Sequence, residues 1–175
     1  MKWYFVAGYS FAAVCSAVLF KIAFKLWGPS KYNHYDSQIE EAGVPGCLFC
    51  GFVRRMDEKV FEDEHVIAFH DISPYASTHL LVIPKRHIKN LLALKNEDLY
   101  LLEHMKSVGL ALSERFGNEG SDLIFHKPAF NSILHLHLHV MVRPLTRPFW
   151  RRIFFNSYFS TPIDAVITSL KSKNN

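Results

Sequence analysis

The sequence predicts an α+β domain, with strands on either side of one long helix, preceded by a single transmembrane helix. Three observations lead to this prediction. Short runs of alternating apolar residues are separated by turn residues, one amphipathic helical segment lies between them, and a long uncharged apolar stretch comes first. Of the 175 residues, 49% are hydrophobic and 21% are charged, which is enough apolar material for a core and argues against disorder.

The first element is an apolar segment over residues 1–27. Residues 3–20 (WYFVAGYSFAAVCSAVLF) carry no charge, and the apolar character continues to Trp27. About 20 apolar residues cross a bilayer, and the aromatic residues at both ends suit its interfaces. The alternatives are a cleaved signal peptide, which has a shorter apolar core after a basic start, and an amphipathic helix with one apolar stripe. We expect residues 3–27 to be a single-pass membrane anchor.

The charges near this segment predict its orientation. Lys21, Lys25 and Lys31 follow it and only Lys2 precedes it, so the positive-inside tendency places the following domain in the cytosol, where cysteines stay reduced. Residues 36–142 contain ten Lys or Arg and fifteen Asp or Glu. A DNA-binding domain would be basic, so nucleic acid is not an expected partner.

The organisation after the anchor follows from turn residues and periodicity. Pro and Gly without an apolar period are typical of a linker, and a helix capped by Asn96 should run to Phe116 and end at Gly117. The expected segments are a linker at 28–46, a domain at 47–145 with strands near 65–69, 79–85, 123–125 and 134–142, and a basic aromatic extension at 146–175.

Residues 135–140, HLHLHV, carry the densest chemical signal. In a strand, His135, His137 and His139 would share one face and the apolar residues between them the other. Neighbouring histidines would lie about 6.7 Å apart and the outer pair about 13 Å apart, so at most two could share one metal ion. The other interpretation is a central imidazole that acts as a nucleophile or acid–base group, because histidine titrates near neutral pH.

This motif and two others, in order, resemble the histidine-triad superfamily. The others are CLFC at 47–50 and FHDISPYASTHLLVIPKRHI at 69–88, and the triad itself stands in FHKPAFNSILHLHLHV at 125–140. The resemblance is strongest to the histidine-triad nucleotide-binding proteins of the third subtype, and aprataxin is more distant. It implies the family's antiparallel sheet with one long helix, purine nucleotides as partners, and a homodimer as one allowed arrangement.

The activity that the resemblance implies is hydrolysis of P–N or acyl-phosphate bonds in AMP derivatives, through a nucleotidyl-histidine and without a catalytic cofactor. His137 matches the nucleophile, and His139 should fix its tautomer or touch the phosphate. His79 matches the histidine that closes the site near the leaving group, and Ser132 a serine that donates a hydrogen bond to the phosphate or leaving group. Ser132 could instead be an ordinary loop residue.

The resemblance also implies nucleotide contacts. Asp71 and Ile72 match the residues that hold ribose and base, and His126 stands near the place of a smaller amide residue in the first-subtype proteins. Asp71 could instead cap the DISP turn.

A zinc site is the expected cofactor site. Cys47 and Cys50 have the C-x-x-C spacing of zinc ligands, and tetrahedral zinc needs two more. Zinc-containing relatives use the histidines that match His87 and His135, so the resemblance implies a closed structural site. A redox pair is the alternative, although the thioredoxin-like context is missing.

The extension leaves several functions open. Interleaved Arg and aromatic residues at 143–159 suit an anionic lipid surface or a single nucleic-acid strand, or the extension could cap the domain with a final helix near 163–170. A membrane-tethered nucleotide-binding adaptor with little turnover and an aprataxin-like DNA-adenylate hydrolase are the competing functions. An aprataxin-like hydrolase would be expected to carry a C-terminal zinc finger, but neither Cys nor His follows His139.

Overall fold

A six-stranded antiparallel sheet forms the centre of the computed structural model, which describes residues 44–55, 57–117, 120–146 and 153–173. The strands lie in the order β1-β2-β3-β5-β4-β6. They are β1 (Phe61–Glu62), β2 (Val66–His70), β3 (Ala76–Pro84), β4 (Ser121–His126), β5 (Leu138–Leu145) and β6 (Ser160–Pro162). The helices are α1 (Leu48–Arg55), α2 (Leu99–Phe116) and α3 (Ile163–Ser172). The predicted α+β class with one long helix is confirmed.

The long helix differs from expectation only at its start, whereas the triad strand both begins and ends later than expected, at Leu138–Leu145 instead of 134–142. A 3₁₀ turn at Asn96–Asp98 precedes α2, so Asn96 is not its N-cap, whereas its end before Gly117 is as expected. β5 begins at Leu138 because its pairing with β3 ends there. Upstream of it, the backbone N–H of Leu136 donates to the carbonyl of Ile88 instead.

The main core lies between one face of the sheet and helices α2 and α3. Leu136, Leu138 and Val140 are buried in it, which directs the alternating histidines of the triad to the opposite face. Helix α1 covers part of that opposite face. Its buried Phe49 packs with apolar residues of the two strands beneath it: Ile67, Phe69, Leu81 and Ile83.

The C-terminal residues complete this fold. β6 pairs with the edge of β4, and α3 buries Ile163, Ile167 and Leu170 in the main core. An apolar stripe at this spacing needs a partner surface, which α2 and the sheet supply. The expected final helix is present, and the expected domain end at residue 145 falls inside the fold. One expected role of the extension was to cap the domain, and its described residues, 153–173, do so.

The described ranges contain no helix that is long and apolar enough to cross a membrane. The predicted anchor at residues 3–27 and nearly all of the predicted linker at 28–46 lie outside the described residues.

Candidate active site

Four buried or largely buried histidine rings meet on the sheet face that α2 and α3 leave free. His79 comes from β3, His139 from β5 and His126 from β4, while His137 immediately precedes β5. The ring centroid of His139 lies 5.1 Å from that of His79, 4.7 Å from that of His126 and 5.0 Å from that of His137. Three neighbouring strands therefore deliver the cluster.

The backbone fixes the tautomer of His137. Its Nδ1–H donates to the carbonyl oxygen of His135 at 2.6 Å, and a carbonyl can only accept. The lone pair therefore lies on Nε2. Burial lowers the pKa of His137, so the ring is neutral near pH 7, and Phe49 packs edge-on against it with centroids 5.4 Å apart. The His137 ring is therefore a neutral imidazole held in one tautomer. One expected role of His139 was to fix this tautomer. The structure assigns that role to the backbone carbonyl of His135 instead.

A chain of hydrogen bonds orients His139. The backbone N–H of Tyr75 donates to Nδ1 of His79 at 3.3 Å, so the hydrogen of His79 lies on Nε2. His79 Nε2–H then donates to Nδ1 of His139 at 2.9 Å, which leaves the hydrogen of His139 on Nε2. That Nε2 is buried and has no hydrogen-bond partner among the described residues. Burial lowers the pKa of His79 to about 4 and that of His139 well below its usual value.

Asp71 caps the DISP turn, which was one of its two expected roles, and it also faces two histidines, while the expected contact with the nucleotide stays a prediction. Its Oδ1 accepts the backbone N–H of Ser73 at 2.8 Å, which caps the turn, while Oδ2 lies 3.6 Å from His79 Nδ1 and 3.9 Å from His139 Nδ1. This carboxylate opposes the fall in the pKa of His79 that burial causes. The neighbouring Ile72 is 60% exposed. Ser132 is exposed in the segment before the triad, and within the described chain no hydrogen bond joins it to a histidine.

His126 packs beside His139, with ring centroids 4.7 Å apart. Burial lowers its pKa to about 4, and the nearby backbone of Phe159 opposes this shift. Within the described ranges its Nδ1 is buried without a hydrogen-bond partner.

Sequence reasoning missed Phe155 as part of this site. It lies in a 3₁₀ turn, Ile153–Phe155, and its ring centroid is 5.9 Å from His79, 4.8 Å from His126 and 5.4 Å from His139. The aromatic content of the extension was the available signal, but nothing local in the sequence connects it to the histidines. Phe155 shields the cluster from water.

A second cluster brings Cys47, Cys50, His87 and His135 together, with ligand atoms within 4.8 Å of one another. The distance to His135 Nδ1 is 3.5 Å from Cys47 Sγ and 3.6 Å from Cys50 Sγ, and Cys50 Sγ lies 3.3 Å from His87 Nδ1. Zn–S bonds of about 2.3 Å and Zn–N bonds of about 2.0–2.1 Å at tetrahedral angles separate sulfur and nitrogen by about 3.5 Å. The four side chains fit one tetrahedral zinc ion.

The surroundings of His135 also fit a metal ligand. Its Nε2–H donates to the carbonyl of Pro84 at 2.9 Å, which directs the Nδ1 lone pair towards the two cysteines. Burial lowers its pKa to about 4, so it is in the neutral form that binds metals.

The ligand atoms of Asp71, His79 and His139 also lie within 4.8 Å of one another. However, the 2.9 Å between the two ring nitrogens is a hydrogen-bond length, shorter than the roughly 3.3 Å between two nitrogens on tetrahedral zinc. We interpret this group as a proton relay.

Comparisons with known proteins found a matching family and several similar proteins. Residues 46–154 match the family described as scavenger mRNA decapping enzyme C-terminal binding. The chain is 43% identical over 122 residues to the bifunctional adenosine 5'-phosphosulfate phosphorylase/adenylylsulfatase HINT4 of Arabidopsis thaliana, a match that covers 66% of this chain and 83% of that protein. It is 31% identical over 155 residues to the adenosine 5'-monophosphoramidase HINT3 of Mus musculus, which covers 82% and 88% of the two chains.

A solved structure shows the same fold. The crystal structure of a HIT family hydrolase from Legionella pneumophila Philadelphia 1 superposes with a TM-score of 0.54 at 35% identity, over 58% of this chain and 97% of that one.

Proposed function

This chain is a hydrolase of the histidine-triad superfamily, and from that premise we propose that it cleaves P–N or acyl-phosphate bonds of AMP derivatives through a nucleotidyl-histidine on His137. The observation that carries the proposal is the hydrogen bond from His137 Nδ1 to the His135 carbonyl, because it leaves a neutral Nε2 lone pair free to attack phosphorus. The names of the relatives, which include phosphoramidases and an adenylylsulfatase, support AMP derivatives as the substrate class.

The proton for the leaving group comes from the relay of Asp71, His79 and His139. A bound phosphate is an anion, and an anion raises the pKa of neighbouring imidazoles, so this group takes up one proton with the substrate. That proton adds to His79 Nδ1, where it replaces the 3.3 Å hydrogen bond from the Tyr75 N–H and faces the Asp71 carboxylate. Without substrate, burial keeps His79 and His139 neutral. Substrate binding therefore adds one positive charge to this pair of rings.

In the first step, the Nε2 lone pair of His137 forms a bond to phosphorus while the bond to the leaving group breaks. The leaving atom keeps that electron pair and takes the Nε2 proton of His139. His139 regains a proton on Nδ1 from His79 Nε2, through the 2.9 Å hydrogen bond, and both rings end neutral. Nucleotide stays attached to His137.

In the second step, water attacks phosphorus and the bond to His137 breaks, which returns the electron pair to Nε2. His139 Nε2, now without its proton, accepts one proton from the water, and His139 returns its Nδ1 proton to His79. The relay is charged again and releases that proton when the AMP product leaves. In this scheme, His139 is the general acid and then the general base.

Trapping the intermediate tests the proposal. Wild-type protein mixed with an AMP amide and quenched in alkali should gain the mass of one adenylyl group, located on His137 by peptide mapping. His137→Asn should form no adduct, while His70→Asn, on the exposed end of β2, should behave like the wild type. A wild type that binds AMP but never forms the adduct would favour the adaptor. Turnover of adenylated DNA ends alone would favour the DNA-adenylate hydrolase.

We propose that zinc is bound by Cys47, Cys50, His87 and His135. Bound there, it would supply structural cross-linking of α1 to the segment that holds the nucleophile. The sulfur–nitrogen distances of 3.3–3.6 Å support this assignment.

We further propose that residues 3–27 hold the domain at the cytosolic face of a membrane. Eighteen uncharged residues followed by three lysines support this proposal. The full chain should stay with the membrane pellet after carbonate extraction, and a variant without residues 3–27 should not. Release of the full chain into the supernatant would refute the anchor.

A further inference from the structure

We propose that the side chain of Phe155 is a gate over the four-histidine cluster, and that it opens by rotating into an apolar cavity beside it. The open gate admits substrate to His139. This inference deepens the proposed function and rests on it for the identity of the substrate.

The structure shows the cluster closed. His79 is 2% exposed, and His137 and His139 are each 6% exposed. Nε2 of His139 is buried and has no hydrogen-bond partner among the described residues, which is a costly state for a polar atom. The proposed reaction requires this atom to contact the leaving group. A substrate can therefore reach His139 only after a neighbouring group moves.

Phe155 is a neighbour that can move. Its ring contacts those of His79, His126 and His139 at centroid distances of 5.9, 4.8 and 5.4 Å. These three histidines belong to paired strands of the sheet, whereas Phe155 lies in the 3₁₀ turn Ile153–Phe155. Its half-buried side chain can therefore turn away without breaking the pairing of the strands.

A mostly apolar cavity of about 220 Å³ provides the space for this rotation, and Phe155 itself lines it. Its other lining residues include Ile124, Met141 and Leu145. Ile124 pairs with His139 across β4 and β5, and Met141 lies two residues beyond His139, so the cavity continues along the same sheet face. An apolar cavity of about 150 Å³ binds benzene, so this volume accepts a phenyl ring.

The backbone next to Phe155 is anchored, so the motion is a rotation of the side chain. The N–H of Asn156 donates to the carbonyl of Ile153 at 3.2 Å, and the carbonyl of Asn156 accepts from Oγ of Ser160 at 2.8 Å. Phenylalanine has three staggered positions about χ1. In one of them the ring covers the histidines, and in another it occupies the cavity.

Carbethoxylation by diethyl pyrocarbonate measures the opening of the gate and needs no turnover. Peptide mapping of the treated full chain gives the labelling rates of His126 and His139, with the exposed His70 as the internal reference. Phe155→Ala removes the gate and should raise both rates about tenfold. Leu145→Trp fills the cavity and should lower both about tenfold, because it depopulates a minor open state.

Two further variants identify the cause. The double variant of Leu145→Trp with Phe155→Ala should label as fast as Phe155→Ala, because a filled cavity has no effect once the gate is absent. Leu110→Trp makes the same substitution at an exposed residue of α2, on the other face of the sheet, and should label like the wild type. Circular dichroism establishes folding, and if Leu145→Trp does not fold, Ile124→Phe fills the cavity from β4.

Hydrolysis of an AMP amide connects the gate to the proposed function. Leu145→Trp should lower kcat/KM about tenfold, and adding Phe155→Ala should restore it to the value of Phe155→Ala alone. Wild-type labelling in Leu145→Trp, or a double variant that labels as slowly as Leu145→Trp, would overturn the gate. So would a Leu145→Trp variant that loses hydrolysis but labels like the wild type, because the cavity would then hold part of the substrate. The expected labelling in a protein that hydrolyses no AMP amide would overturn the proposed function and confirm the gate.

Discussion

Replacing His79 with Asn should make the stability of the protein less sensitive to acid. His79 is 2% exposed, and burial lowers its pKa from 6.5 to about 4. In the unfolded chain the same ring takes up a proton near pH 6.5, so below that pH the unfolded state binds more protons than the native state. The free energy of unfolding therefore falls as the pH drops from 6.5 towards 4.

The size of the effect follows from this shift. One pKa unit corresponds to about 1.4 kcal/mol, so His79 alone should remove about 2 kcal/mol of stability between pH 7 and pH 5. Asparagine does not titrate, so the variant should lose about 2 kcal/mol less than the wild type over the same interval. Its stability at pH 7 should be lower because the bonds to Tyr75 and His139 are lost.

Urea unfolding at pH 7, 6 and 5, followed by circular dichroism, measures this difference. The other histidines and the zinc ligands titrate in both proteins, so the difference between the two curves isolates His79. His70→Asn, at an exposed position, is the matched control and should parallel the wild type. Parallel curves for the wild type and His79→Asn would refute the reasoning, because they would mean that His79 is not held neutral by burial.

Three further predictions test the metal, the C-terminal helix and the aromatic shield. Purified wild type should contain one zinc per chain by mass spectrometry and Cys50→Ser should lose it, whereas Cys15→Ser, at a cysteine of the expected membrane anchor, should keep it; metal-free wild type would exclude the site. Ile167→Ala should lower the free energy of unfolding by about 2–4 kcal/mol because Ile167 is buried in the main core, whereas the exposed Thr168→Ala should change it by less than about 0.5 kcal/mol. A small effect of Ile167→Ala would place α3 outside the cooperative fold. Phe155→Ala should admit water to the histidines and weaken the burial that lowers the pKa of His139, moving the acidic limb of the kcat/KM profile to higher pH; an unchanged profile would argue against the shield.

The two clusters share one stretch of backbone. His135 is a ligand of the proposed zinc site through its ring, while its carbonyl accepts the hydrogen bond that fixes the tautomer of His137. A displacement of the His135 ligand would therefore also shift the carbonyl that fixes the tautomer of His137, two residues further along the chain. A structural metal at this position would hold the attacking nitrogen in place.

Local sequence patterns predicted the elements and most of the chemical groups. Alternation in HLHLHV separated the histidines from the core residues between them, Pro84 ends β3, and α2 stops before Gly117. The C-x-x-C pair with two distant histidines was expected from the resemblance, and the fold brings all four within reach of one ion. The end of the domain could not be located, because whether α3 packs on α2 depends on a surface formed far away in the chain.

The sequence by itself determined which side chains carry chemistry and on which sheet face they lie, because side-chain type and strand alternation are local properties. Only the tertiary structure decided how they act on one another. His79 and His139 are 60 positions apart, and their hydrogen bond exists because β3 and β5 pair in one particular register. The contact of His126 with His139 and the packing of Phe155 on His126 likewise depend on distant segments, which no local pattern encodes.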